Sequence, residues 1–213
     1  MDKERRWLLE ERAHRCVGRL NRHRFDARFF EERGLFLAEI KGVIKEAKTV
    51  GFGGSATLRS LGLAEMADVM GKEVLDHGHE GLSFEESLAA RRGQQRCDLF
   101  FTSANALSET GEIVNVDGIG NRTNAMCFGP KRVVVVAGFN KIAPDLSRAL
   151  ERVRQVAGPM RAKSLGVDTP CAQTGVCSDC NAPMRICNIT TVLHRKPMLT
   201  DVSVFVVGEE LGY

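Results

Sequence analysis

Hydrophobic positions recur along the chain with periods that change from segment to segment, and those periods mark out its elements. Leu9, Ala13, Cys16, Val17 and Leu20 fall at helical spacing in a highly charged background, which predicts an amphipathic helix over residues 3 to 20, laid on the domain. Phe25 to Phe30 reads as a short strand, and Phe36, Ile40, Val43, Ile44 and Ala47 mark a second helical face. A strand over Thr49 to Phe52 ends in glycines. Ser83 with Glu86 forms a capping box, and Phe84 and Leu88 start an apolar stripe that runs to about Arg96. Asp98 to Thr102 has the look of a buried strand and Glu112 to Val116 alternates. Arg132 to Ala137, with four consecutive valines, has the pattern of a strand covered on both faces. Pro144 opens a helix with Leu146, Ala149, Leu150, Val153, Val156 and Ala157 on its apolar face. The style changes after Gly158-Pro159, where a loop-like cysteine segment precedes two late strands, Ile189 to His194 and Val202 to Val207, joined through Lys196-Pro197.

Strands that precede helices in this order imply βαβ units and a three-layer α/β fold with a mostly parallel sheet. Without an internal repeat, low-complexity tract or clear linker, the chain divides into an N-terminal amphipathic helix, residues 1 to 24, and one α/β domain, residues 25 to 213.

Composition narrows the class. The 213 residues carry 30 Lys and Arg against 27 Asp and Glu, a formal charge of +3, and 43% are hydrophobic, which suits an ordinary core and argues against a disordered chain, a coiled coil or a disulfide miniprotein. No apolar run approaches the ~20 residues of a membrane span, and Met1 to Arg6 lacks the apolar stretch of a secretory signal, so a cytoplasmic protein without a membrane partner is expected. The charge is too small and too evenly spread for a nucleic-acid footprint, and only Trp7 and Tyr213 accompany the phenylalanines as stacking platforms.

Candidate chemistry falls in three places. Gly51, Gly53, Gly54, Ser55 and Thr57 lie where a strand gives way to a helix. Glycines permit close backbone approach and leave amides free for a phosphate or carboxylate, although the same residues suit a tight capped turn. The loop lacks a P-loop lysine and the dinucleotide spacing, so no nucleotide is signalled. The second place is the polar run from Ser103 to Arg122, which follows a buried strand, where ligands of parallel sheets sit. Glu109 and Asp117 are its candidate acids, bases or nucleophile. Ser103, Asn105, Thr110, Gly111, Asn115, Gly118, Gly120, Asn121 and Arg122 are its candidate ligand contacts, Arg122 as a clamp for a carboxylate or phosphate. Asp117-Gly118 also suits a turn. His77 and His79, two apart across Gly78, read as a solvated turn, and His194 as structural.

Gly51-Phe52-Gly53-Gly54-Ser55, Ser108-Glu109-Thr110-Gly111, Asp117 to Arg122 and the segment Thr169 to Asn188 together resemble the LUD, or lactate-utilisation domain, family over nearly the whole chain. The resemblance implies a Rossmann-like fold of the group that holds CoA transferases, ribose-phosphate isomerase, glucosamine-phosphate deaminase and the folate cyclo-ligases, whose glycine loop binds anions. It places Glu109 where CoA transferases carry their thioester-forming glutamate, with Thr110 departing from that pattern. It also implies a link to oxidation of L-lactate to pyruvate alongside iron-sulfur protein subunits.

The third place is Cys171, Cys177, Cys180 and Cys187, four of seven cysteines within seventeen residues. Four thiolates are enough for a zinc ion or a 4Fe-4S cluster, and the Cys177-x2-Cys180 pair has chelating spacing; the bland alternative is packing and loop thiols. Two functions follow. In one, an anionic small molecule binds between the glycine loop and the Glu109 to Arg122 segment, for acyl- or CoA-transferase-like or oxidoreductase-associated chemistry. In the other, the chain is a non-catalytic metal-binding subunit or scaffold of an electron-transfer assembly. A homo-oligomer is open under both.

Overall fold

Four consecutive valines are buried together only if both faces of their strand are covered, and the chain is built around that requirement. The computed structural model describes residues 1–213. Its first half runs α1 (Lys3–Arg22), β1 (Asp26–Phe30), α2 (Arg33–Lys45), β2 (Thr49–Phe52), α3 (Ala56–Ser60), α4 (Leu63–Val69), β3 (Glu73–Asp76), α5 (Phe84–Gly93) and β4 (Leu99–Thr102). The hairpin β5 (Ala106–Ser108) and β6 (Ile113–Asp117), α6 (Asn121–Cys127), β7 (Arg132–Gly138) and β8 (Ile142–Ala143) follow. The chain finishes with α7 (Leu146–Arg152), α8 (Gly158–Leu165), α9 (Pro170–Thr174), β9 (Ile189–Leu193) and β10 (Asp201–Val207).

Six strands form one sheet in the order β1-β10-β7-β4-β2-β3, and every pairing is parallel. The chain thus folds as a three-layer, Rossmann-like α/β domain. Strand alternation distributes the valines: Val133 and Val135 join Phe100, Val204 and Val206 on one face, while Val134 and Val136 join Leu99, Phe101 and Phe205 on the other. Ala13, Cys16 and Leu20 of α1 close the first core without any exposure, and Phe36, Ile40 and Ile44 of α2 close the second. The N-terminal helix is therefore part of the core.

The patterns miss a second sheet, ordered β8-β5-β6-β9, in which the β5-β6 and β6-β9 pairs are antiparallel. Its strands β6 and β9 are expected from the pattern, but β5 and β8 have three and two residues, too few for a period to register, and the sheet packs on α7 through Ala106, Val114, Ala149 and Val153. Two further expectations change. The helix of the capping box ends at Gly93, buries none of its residues and leaves Phe84 77% exposed, because its main support is the edge strand β3. Helical geometry also runs through Gly158-Pro159. A π turn over Val153–Ala157 lets the Gly158 N–H reach the Val153 carbonyl, and Pro159 then falls in the first turn of α8, where its missing donor is not needed.

Between β2 and β4 the chain order reverses, since β3 lies to one side of β2 and β4 to the other. The loops leaving those two strands therefore diverge and open a crevice, where a parallel sheet places its ligands.

Truncation of α1 at its buried face tests the claim that this helix belongs to the core. Leu20→Ala should cost about 2 to 5 kcal/mol in urea unfolding. Leu35→Ala, at a position 61% exposed, should stay within about 0.5 kcal/mol of wild type.

Candidate functional site

The crevice is a cleft with ≈ 230 Å³ of free space, bounded by Gly54 and Ser55 after β2, Ser103 and Asn105 after β4, Lys141 after β7, and Asp117 to Arg122. Five basic side chains line it, Lys141, Arg122, Arg91, Arg161 and His77, against one carboxylate, Asp117.

Arg122 organises the wall. Its side chain is 13% exposed and its ion pair with Asp117 is 2.7 Å long. Nε donates to Asp117 Oδ1 at 2.9 Å, Nη1 to the Ser103 carbonyl and Asn115 Oδ1, and Nη2 to Asn105 Oδ1 and the Val116 carbonyl. One guanidinium thus ties the β4 loop to strand β6, using the fixed fork that only arginine offers. Asp117 Oδ2 accepts the Thr123 N–H and so anchors α6, while Asn105 and Asn115 also bond the backbone across the hairpin at Val116 and Asn105. Gly53 makes room: a Cβ there would meet the Arg122 stem at 3.2 Å.

Lys141 forms the floor. It is 4% exposed, and its Nζ donates to Thr57 Oγ1 at 2.9 Å and Ser103 Oγ at 3.0 Å. Thr57 in turn donates to the Leu211 carbonyl, so residues 211 to 213 pack beside the amine, with Tyr213 on the rim. Gly212 has φ of +61°, and a Cβ there would collide with Thr57 Oγ1. Burial, then the charges of Arg152 and Arg122, push the Lys141 amine down to about 7. Burial likewise lowers His77, Arg91 and Arg161, each with a neighbouring cation adding to the effect at His77 and Arg161. The Arg91 Nε is buried without any hydrogen-bond partner. His77 turns Nδ1 to the Gln94 amide at 3.0 Å and approaches Gly54 with Nε2.

The structure brings together most of the candidate residues. Gly54, Ser55, Ser103, Asn105, Asp117, Gly118, Asn121 and Arg122 line the cleft, and Thr57 and Asn115 stand directly behind it through Lys141 and Arg122. Ser55 also caps α3, accepting the Leu58 N–H. Gly51 lies inside β2, where a Cβ would press on Cys97, Gln94 and Phe100, so its role is packing. Gly120, at φ of +93°, starts α6. Glu109, Thr110 and Gly111 lie apart: Glu109 pairs with Arg15 at 2.7 Å and Arg12 at 3.4 Å on α1, and a Cβ on Gly111 would strike Arg19 and His23. Thr110 bonds Ser108 and Glu112 within the turn.

The sequence reading misses Lys141, Arg91, Arg161 and Tyr213 and sets His77 aside. Each sits alone in a segment without a motif, and only the fold gathers them.

The four clustered cysteines line a second cavity that shares Asn105, Val116, Arg161 and Ile186 with the cleft. Their segment docks through Asn188, whose N–H donates to the Asp117 carbonyl and whose amide donates to Gly118. No three His, Cys, Asp or Glu side chains converge to hold a single metal ion.

Among known proteins, the family model described as LUD domain matches residues 13–207. No curated protein matches the chain. Its structure is similar to the crystal structure of a DUF162 family protein from Deinococcus radiodurans, with a TM-score of 0.54 at 16% identity over 93% of this chain and 98% of that one.

Replacing Arg122 by Met would leave Asp117, two asparagine side-chain oxygens and two backbone carbonyls short of a donor. We expect a loss of about 3 to 5 kcal/mol in chemical unfolding, with Arg122→Lys recovering only part of it, because an ammonium lacks the fork.

Proposed function

The chain belongs to the LUD domain family, which is associated with lactate utilisation, and from that premise we propose that its cleft binds a small carboxylate- or phosphate-bearing metabolite within the oxidation of L-lactate to pyruvate. The observation that carries this reading is the imbalance of charge. Five basic groups surround one carboxylate that Arg122 already holds, and burial works against the charge on Lys141, Arg91, Arg161 and His77. An anion in the cleft relieves all of these penalties together, and in a partly desolvated site the gain per contact is larger than in water.

The cleft also supplies a group able to exchange a proton. At neutral pH the Lys141 amine divides between charged and neutral forms, and its two hydroxyl partners hold it in place under either. Acyl transfer through Glu109 finds no support in this geometry, because two arginines of α1 hold that carboxylate outside the cleft.

Titration calorimetry with L-lactate, pyruvate and inorganic phosphate tests the proposal. At least one of them should bind, and Arg161→Ala should weaken it roughly tenfold to a hundredfold, the worth of a charge-assisted contact. The sign of the pH dependence follows from Lys141. Below pH 7 its amine is already charged; above, binding must draw a proton onto it, so affinity should fall by up to about tenfold per pH unit. Absence of binding by all three anions, or indifference to Arg161→Ala, would remove the proposed site.

A further inference from the structure

One basic group of the cleft is built to react as well as to attract. Lys141 follows β7 in a tight turn that the C-terminal residues fix in place: Asn140 Oδ1 accepts the Leu211 N–H at 3.1 Å, and the Leu211 carbonyl accepts the Thr57 hydroxyl at 3.1 Å. Thr57 has thus spent its proton and meets the Lys141 Nζ with a lone pair at 2.9 Å, while Ser103 Oγ accepts a second hydrogen bond at 3.0 Å. The side chain is buried and held, and it lines the floor of the cleft.

No carboxylate pairs with this amine. Asp117, the one acid of the cleft, is taken by Arg122, and the charges that act on Lys141 are those of Arg152 and Arg122. For attracting an anion alone an arginine would serve better there, because it keeps its charge under burial and offers a fork. A desolvated lysine beside other cations is the arrangement that yields a neutral, nucleophilic amine. With its midpoint at about 7, about half of the Lys141 amine is neutral at that pH, against roughly one part in a few thousand for an ordinary lysine. Elsewhere in the same cleft Arg161 spends Nη1 on Ser164 Oγ at 3.3 Å and passes Nη2 beside Gly54, where a Cβ would stand 3.7 Å from it. That guanidinium and Arg91 suit a substrate carboxylate.

We propose that Lys141 is a nucleophile that forms an imine with a 2-oxo acid bound in the cleft. The inference rests on the anion-binding reading above and adds the reacting atom: guanidinium groups hold the carboxylate and Nζ attacks the ketone carbon. The neutral amine gives its electron pair to that carbon as the carbonyl π pair moves to oxygen, and the carbon–oxygen bond then breaks. Counted from the ammonium, two of its protons leave with that oxygen as water and one stays on nitrogen. One ammonium and one carbonyl become one iminium and one water, with no oxidant or reductant consumed, and the positive charge stays at Nζ for the carboxylate to balance. Ser103, whose own hydroxyl has only long contacts of 3.4 and 3.5 Å, is placed to pass protons between nitrogen and oxygen.

Cyanoborohydride reduces an iminium to a stable secondary amine, which gives the test. The full chain is incubated with pyruvate and this reductant at neutral pH and read by intact mass and peptide mapping, with pyruvate binding measured by calorimetry on the same sample. One carboxyethyl group should appear on Lys141, at least about tenfold faster than on the exposed Lys41, and excess inorganic phosphate should slow it. Lys141→Arg, which keeps the charge and removes the nucleophile, should lose that modification; if the variant does not fold, peptide mapping of the wild type decides alone. Pyruvate binding without an adduct on Lys141 would overturn the imine and leave the anion site standing, whereas absence of both would overturn the two together. Labelling spread evenly over exposed lysines, or indifferent to phosphate, would also overturn the imine.

Discussion

One partly buried arginine determines how the cleft is built. The Arg122 guanidinium meets oxygens from Ser103, Asn105, Asn115, Val116 and Asp117, so the loop after β4 and the strand β6 are held at a fixed separation. A cation buried to that degree is tolerable only with its donors filled and its charge balanced, and Asp117 supplies the balance. The same carboxylate anchors α6 through Thr123, and its backbone carbonyl receives the cysteine segment through Asn188. Cleft wall, helix and cysteine loop therefore share one polar anchor.

With Arg122 and Asp117 neutralising each other, the remaining groups leave an excess of positive potential. Lys141 lies deepest and its charged form is the least well compensated, since its contacts are two hydroxyls and its charged neighbours are arginines. Nothing in the packing demands such an arrangement. Hydrophobic cores on both faces of the sheet already account for the fold, and cations crowded at strand ends detract from stability until an anion joins them. Sites of this kind concentrate unfavourable electrostatics where a ligand is to be held.

The sequence disclosed the framework well and the cleft in part. β7 and α2 were legible because their periods are unbroken over seven residues or more, and the sheet's parallel character followed from strand-helix alternation. The polar run to Arg122 was recognisable by density of function-bearing residues and by its place after a buried strand. The second sheet was hidden because β5 and β8 are two or three residues long and their pairing is set by tertiary contact. Glu109 lies elsewhere than the cleft: its neighbourhood in sequence resembles a catalytic turn, and a hairpin directs its carboxylate toward α1, whose register no local pattern reveals. Lys141 was invisible for a similar reason, as a single lysine acquires its character from burial and from arginines 11 to 19 positions away.

In the proposed reading the cleft holds an electrostatically unsatisfied amine that an anion completes. Titration of the Lys141 side chain by heteronuclear magnetic resonance tests it most directly. A midpoint at about 7 is expected in the free protein, moving upward when inorganic phosphate or a bound carboxylate is added. A midpoint at the ordinary lysine value of 10.5, unmoved by any anion, would contradict it.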